Sequence, residues 1–161
     1  MKPAIGMLAT SLVSTLAVFG AQAAGPAAPK IGAIRAQLYY EETGKFSKDI
    51  LSDKDLSLWN TIIGEGGSGG ASNYTLVTVE VQGKDVPVGA VKVQVVARDS
   101  KRKIIAMNTA DVSIYDAKTS FNAPLFLYNT GCDEIEISAS LFGKGIKKNA
   151  VKAKIPFACG E

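Results

Sequence analysis

A single antiparallel β-sandwich of about seven strands is the fold class this sequence predicts, on three observations. Apolar residues recur at every second position in run after run, as at Thr75, Val77, Val79 and Val81 or Val91, Val93, Val95 and Ala97, which is the period of a half-buried strand. Turn-forming residues separate these runs at intervals of about 8 to 12 residues. Helical spacing is confined to one short segment, so the alternation of strand and helix that builds a parallel sheet is missing.

The chain opens with Met1-Lys2, an apolar run from Ile5 to Phe19 and the small-x-small triplet Ala21-Gln22-Ala23. These are the parts of a secretory signal peptide over 1–23. At about 15 residues the run is shorter than the roughly 20 a spanning helix needs, so no transmembrane segment is expected. Ala24 to Lys30, rich in small residues and proline, reads as a flexible leader before a domain over 31–161. Export predicts a periplasmic or extracellular location. Loss of Lys2 leaves 17 basic residues against 15 acidic ones, a net charge of +2, which demands no polyanionic partner.

Within the domain, Ile34, Ala36, Leu38 and Tyr40 mark the first strand, closed by Thr43-Gly44. In the segment SDKDLSLWNTIIG, Ser52 and Asp55 resemble a capping box, and Leu56, Trp59 and Ile63 recur at helical spacing. The expectation is a short helix, or one or two turns, ending at Gly64. The strands Thr75–Gln82 and Val91–Arg98 follow, separated by a turn over Gly83 to Pro87. Lys103 to Tyr115 reads as one long strand or two short ones. Ala123–Tyr128, Ile135–Leu141 and Val151–Phe157 complete the pattern.

Both cysteines, Cys132 and Cys159, lie in the last 30 residues, and an exported chain in an oxidising compartment pairs such a couple. The loop they close, about 27 residues, is worth roughly 3.5 kcal/mol on a chain-entropy account. The last two strands form a hairpin around Gly143-Lys144-Gly145. Aligning Ile135 with Phe157 and Ile137 with Ile155 makes partner numbers sum to 292, and the cysteines sum to 291. They therefore face each other to within one residue at the open end of the hairpin.

If seven strands alternate in direction, the long connection 42–73, the turn 99–102, the corner Asn129–Glu134 and the C-terminal Cys159-Gly160-Glu161 share one end. That end would collect Asp49, Asp53, Asp55, Glu65, Asp99, Asp133, Glu134 and Glu161. Calcium takes six to eight oxygens from such loops, so Asp49, Asp53, Asp55, Asp99, Asp133 and Glu134 are candidate ligands. In general design this is similar to the C2 family, which carries acidic loops at one end of a β-sandwich. No other cofactor is expected.

Catalytic constellations are scarce. There is no histidine, which removes Ser-His-Asp and Cys-His nucleophile systems and the commonest zinc ligand. Ser100-Lys101-Arg102-Lys103 fits S-x-x-K, but a charged turn gives the lysine no burial to lower its pKa. A carboxylate pair would lack an aromatic sugar platform, since Trp59 is the sole tryptophan. The literal G-x-G-x-x-G at Gly64, Gly66 and Gly69 follows a helix end and leads into a strand. This reverses the order a phosphate cradle needs. It reads as a flexible connector, with Gly64 as a C-terminal cap.

Two basic groups remain, Arg98 with Lys101, Arg102 and Lys103, and Lys144, Lys147, Lys148, Lys152 and Lys154. The parity argument sets them at opposite ends, and no aromatic residues interleave with them, so nucleic acid is not an expected partner. The candidate binding surface comprises Trp59, Glu65, Gly66, Gly69, Arg98, Lys101 and Arg102.

The signal segment, the Trp-containing insert before the second strand and the closing disulfide hairpin ending Cys159-Gly160-Glu161 together resemble uncharacterised exported bacterial proteins built as immunoglobulin-like sandwiches. That resemblance implies a fold and no activity. The expected function is an exported, non-enzymatic binding or structural module of the cell envelope, a monomer or weak homo-oligomer acting on an unidentified protein or envelope polymer. A calcium-dependent binding domain is the alternative.

Overall fold

The computed structural model describes residues 28–115, 120–146 and 150–160. The signal peptide, most of the leader, Lys147, Lys148 and Glu161 lie outside them. Eight strands form two antiparallel sheets: β1 (Lys30–Tyr40), β2 (Lys45–Phe46), β3 (Tyr74–Gln82), β4 (Val86–Arg98), β5 (Ile104–Ile114), β6 (Ser120–Tyr128), β7 (Ile135–Gly143) and β8 (Ala150–Ile155). The first sheet has the order β2-β1-β3-β6 and the second β5-β4-β7-β8. With β2 set aside, this is the A-B-E sheet facing the C′-C-F-G sheet of an immunoglobulin-like sandwich.

Alternation explains the core. Ala36, Leu38, Val77, Val79, Val81 and Leu127 from the first sheet meet Val93, Val95, Val112, Ile114, Ile137 and Ile155 from the second, all essentially without solvent contact. Lys103 to Tyr115 forms the single long strand β5. The extra strand is β2, two residues that pair with Tyr39 and Tyr40 after the Thr43-Gly44 turn.

Three expectations need correction. The capping box does not form: Ser52 Oγ donates to the Asp49 carbonyl, and Asp53 Oδ1 accepts the Asp55 N–H. What remains of the helix is one 3-10 turn, Thr61–Ile63, ended by Gly64 at φ 79° with its N–H on the Thr61 carbonyl. The physical reason lies in what the insert must cover. Extended, it runs beside β1, with Ser47 N–H on the Leu38 carbonyl and Ile50 N–H on the Ala36 carbonyl, and then reaches the tail of β8, where Asn60 N–H meets the Ala158 carbonyl. It thus seals one open side of the sandwich, with Ile50 and Leu58 in the core and Leu51 and Leu56 packed half-buried against it.

The second correction is the register of the last hairpin. Ile135 faces Ile155 and Ile137 faces Ala153, so partners sum to 290 rather than 292. A slip of two residues keeps every side chain on its face, so the apolar pattern could not distinguish the two registers. The disulfide Cys132–Cys159 forms all the same, with Cα atoms 4.7 Å apart. Third, Gly66, Gly69 and Gly70 are packed, and of the run only Gly67 faces open space. Gly69 and Gly70 lie against the Tyr40 ring, and Gly66 lies against the backbone of Ser57 and Trp59. The Tyr40 hydroxyl donates to the carbonyl of Ser68, a residue 2% exposed.

Candidate functional site

The loops expected at one end do gather there, tied by a polar network. Thr61 Oγ1 points at the Gly131 carbonyl, Thr75 Oγ1 and Thr130 Oγ1 lie 3.0 Å apart, and Ser72 Oγ donates to the Tyr39 carbonyl at 2.8 Å. Asn60 joins the insert to the C-terminal segment: its amide nitrogen donates to Glu65 Oε2 at 2.7 Å and to the Gly160 carbonyl at 3.1 Å, and its oxygen accepts the Gly160 N–H. Trp59 lies over Gly160, where a Cβ would come within 2.4 Å of the indole. Only glycine lets the ring close down there, and the indole is left 43% exposed.

The acidic residues do not converge. Asp49 sits beside the middle of β1 rather than at the loop end, its Oδ1 accepting the N–H groups of Ala36 and Leu51. Asp53 caps its own turn through Asp55, Asp99 accepts the Lys103 N–H at 2.8 Å, and Glu134 pairs with Lys154 at 2.8 Å. Among the described residues no three Asp, Glu, His or Cys side chains come together as a metal would require. Asp133 lines a small cavity of about 160 Å³ with Asp99, Asn129 and Cys132.

The candidate binding surface divides in two. Trp59, Glu65 and Gly66 cluster around Asn60, and Gly69 packs on Tyr40. Arg98 and Arg102 instead line a 510 Å³ groove with Glu134, Glu136, Lys152 and Lys154, while Lys101 is exposed at the turn. The two basic groups therefore share one end through Lys152 and Lys154, contrary to the parity expectation, because β8 begins well past the hairpin tip and carries both lysines toward the loops. Carboxylates alternate with them. The hydrogen bond from Lys152 holds Glu136 below the usual carboxylate range, and the one to Glu134 raises Lys154. Ser100 lies in an exposed turn, with Arg102 N–H on the Asp99 carbonyl.

The sequence reading missed an aromatic row on the outer face of the first sheet. Phe46 of β2 pairs with Tyr39 of β1, Tyr39 with Tyr74 of β3, and Tyr74 with Tyr128 of β6. One line of four rings thus crosses the whole sheet. Their centroids are 5.2, 6.2 and 4.9 Å apart, with planes inclined by 51°, 80° and 42°. In the next row Phe126 stands opposite Leu76, which stands opposite Gln37 on its other side. The ends of the patch are in water, with Tyr128 71% and Phe126 61% exposed. Partial burial, with Tyr128, Glu41 and Tyr39 close by, raises the Tyr74 hydroxyl pKa. The only trace of this patch in the sequence is that Tyr39, Tyr74, Phe126 and Tyr128 sit on the solvent parity of their strands.

The chain matches no protein-family model, and no curated protein matches it in sequence. Solved structures with partial likeness include a beta-glucuronidase of Bifidobacterium dentium complexed with coumarin-3-O-glucuronide, at 12% identity and TM-score 0.44, over 81% of this chain and 18% of that one. A glycosyl hydrolase family 2 member of Bacteroides cellulosilyticus aligns at 13% identity and TM-score 0.42, over 53% of this chain and 13% of that one. A further beta-glucuronidase of glycoside hydrolase family 2 aligns at 11% identity and TM-score 0.40, over 53% of this chain and 10% of that one. The chain spans less than a fifth of any of these proteins, and likeness at this level carries no activity across.

Proposed function

We propose that this chain is an exported, non-enzymatic binding module of the cell envelope, which meets its partner with the outer face of the first sheet. The observation that carries the reading is the exposed aromatic row Phe46, Tyr39, Tyr74 and Tyr128 with Phe126 beside it. Cross-strand aromatic pairs stabilise sheets, and Tyr74, flanked on both sides, serves that end. Tyr128 and Phe126 do not, since most of their surface stays in water and gains little from folding. Export is supported by the disulfide, which belongs to an oxidising compartment, and by the signal-like first 23 residues. Among the described residues no helix is long and apolar enough to cross a membrane. The absence of histidine and the engagement of both cysteines in the bridge favour binding over catalysis.

Fractionation of expressing cells tests the reading. The wild-type chain should partition with the envelope, and a Tyr128→Ala/Phe126→Ala variant of unchanged melting temperature should move to the soluble periplasmic fraction. Equal partition of the two overturns it.

A further inference from the structure

We infer that the aromatic row of the first sheet is a binding strip for a single extended chain of a neutral, equatorially linked polysaccharide; this rests on the binding-module reading above. The shape of the patch comes first. It is a line one ring wide, crossing four strands with steps of 4.9 to 6.2 Å, close to the length of one pyranose unit in an extended chain. β2 is only two residues long, and its Phe46 carries the line onto a fourth strand.

Size comes next. At about 200 Å² per aromatic side chain, the partly exposed rings leave on the order of 400 Å² of aromatic surface, whereas a standard protein partner needs about 800 Å². A second copy of this chain or a globular protein would have to spread its contact well beyond the strip, over the polar residues around it.

Chemistry narrows the class. The C–H faces of a pyranose suit the electron-rich face of an aromatic ring, and its hydroxyls need hydrogen-bonding groups at the ring edges. The Tyr40 and Tyr115 hydroxyls are engaged within the protein. Among the described residues, those of Tyr39, Tyr74 and Tyr128 have no protein partner. Gln37, one row away, has its amide nitrogen on the Ser47 carbonyl at 2.7 Å, which leaves the side-chain oxygen to accept.

Charge argues for a neutral chain. Arg35 is paired with Glu80 at 2.7 Å, and the turn that carries Lys45 also carries Glu41 and Glu42. An acidic polymer would find no surplus of cations there. The inclinations of 42° to 80° between neighbouring rings rule out a flat crystalline surface as ligand and suit one chain that twists as it crosses the sheet.

Isothermal titration calorimetry of the purified chain with cellohexaose, xylohexaose and mannohexaose, and with the curved maltohexaose as control, tests the inference. At least one extended oligosaccharide should bind and maltohexaose should not. Tyr128→Ala and Phe126→Ala, both at exposed positions that leave the fold intact, should each weaken binding about tenfold. The inference is overturned if no extended oligosaccharide binds, if maltohexaose binds as well, or if neither variant matters. It is also overturned if the wild-type chain sediments as a dimer that Tyr128→Ala dissociates, because the strip is then a contact between copies. Should all the oligosaccharides fail while Tyr128→Ala/Phe126→Ala still releases the chain from the envelope, the ligand class falls and the binding module stands. If release is also unaffected, both fall.

Discussion

The outer faces of the two sheets cover the same core and differ in how their apolar residues meet water: scattered among ion pairs on the second sheet, joined into one aromatic row on the first. On the second sheet, Lys92 meets Asp111 at 2.9 Å, Lys152 meets Glu136 at 3.0 Å and Lys154 meets Glu134 at 2.8 Å, so these charges find partners within the face, while Met107 and Phe142 stand exposed as single apolar residues among them. On the first sheet, hydrocarbon rings stand at the corresponding solvent positions and end in Tyr128 and Phe126, mostly uncovered. A self-satisfied ionic face keeps a protein soluble and guards its edges, as lysines on β8 do. An aromatic face left in water is unfavourable for the isolated chain, which is why function is sought there.

The contrast can be tested, starting with what the faces share. Leu38 of the first sheet and Ile137 of the second are both fully buried, so Leu38→Ala and Ile137→Ala should each destabilise by roughly 2–5 kcal/mol in denaturant unfolding. A much smaller cost on one side would mean that the two sheets do not share one core.

Next in size is the bridge at the open end of the last hairpin, Cys132 preceding β7 and Cys159 following β8. Replacing both by serine should cost about 3.5 kcal/mol, from the 27-residue separation it closes. Unchanged stability on reduction would show that the hairpin and the Asn60 network hold that end alone.

The third test separates the faces directly. Tyr128→Ala should leave stability within about 0.5 kcal/mol, as expected of an exposed site, yet remove envelope association. A large loss of stability would make the row a structural ladder instead.

The smallest effect is electrostatic and belongs to the second sheet. The hydrogen bond from Lys152 lowers the Glu136 pKa in the folded state below its unfolded value near 4.5. Its contribution is present above pH 4.5 and lost as pH falls through the folded value. The Lys154 pKa is raised above 10.5, so its contribution is present below pH 10.5 and lost as pH rises through the folded value. Melting temperature against pH should show both limbs, and Glu136→Gln should flatten the acid one. The first sheet has its own alkaline limb, because the Tyr74 hydroxyl pKa is raised above 10.0 and folding weakens once the unfolded tyrosine can ionise.

Much of the fold was legible from residue spacing. Val77, Val79 and Val81 name their own face because a strand has a period of two, and the same logic located β4, β6 and β7. The disulfide was legible because the hairpin brings the residues beyond its open end together in either register. The insert was not, since Leu56, Trp59 and Ile63 satisfy helical spacing, whereas the extended strap is anchored by Ile50 and Leu58 and leaves Ile63 exposed. The candidate site was legible only in part. Trp59, Glu65 and Gly66 do meet, but around Asn60 and Gly160, an association across 100 residues that no local pattern announces.

By itself the sequence determined the two-layer class, the residues of the core, the pairing of Cys132 with Cys159 and the lack of histidine chemistry. These follow from local periodicity and composition, which need no knowledge of neighbours. The tertiary structure alone decided that β3 lies between β1 and β6, and so that Tyr39, Phe46, Tyr74 and Tyr128 form one row. Strand order is set by how whole sheets bury their faces against each other, and solvent-facing residues take no part in that choice. Their alignment could therefore be read only after the core had fixed the register.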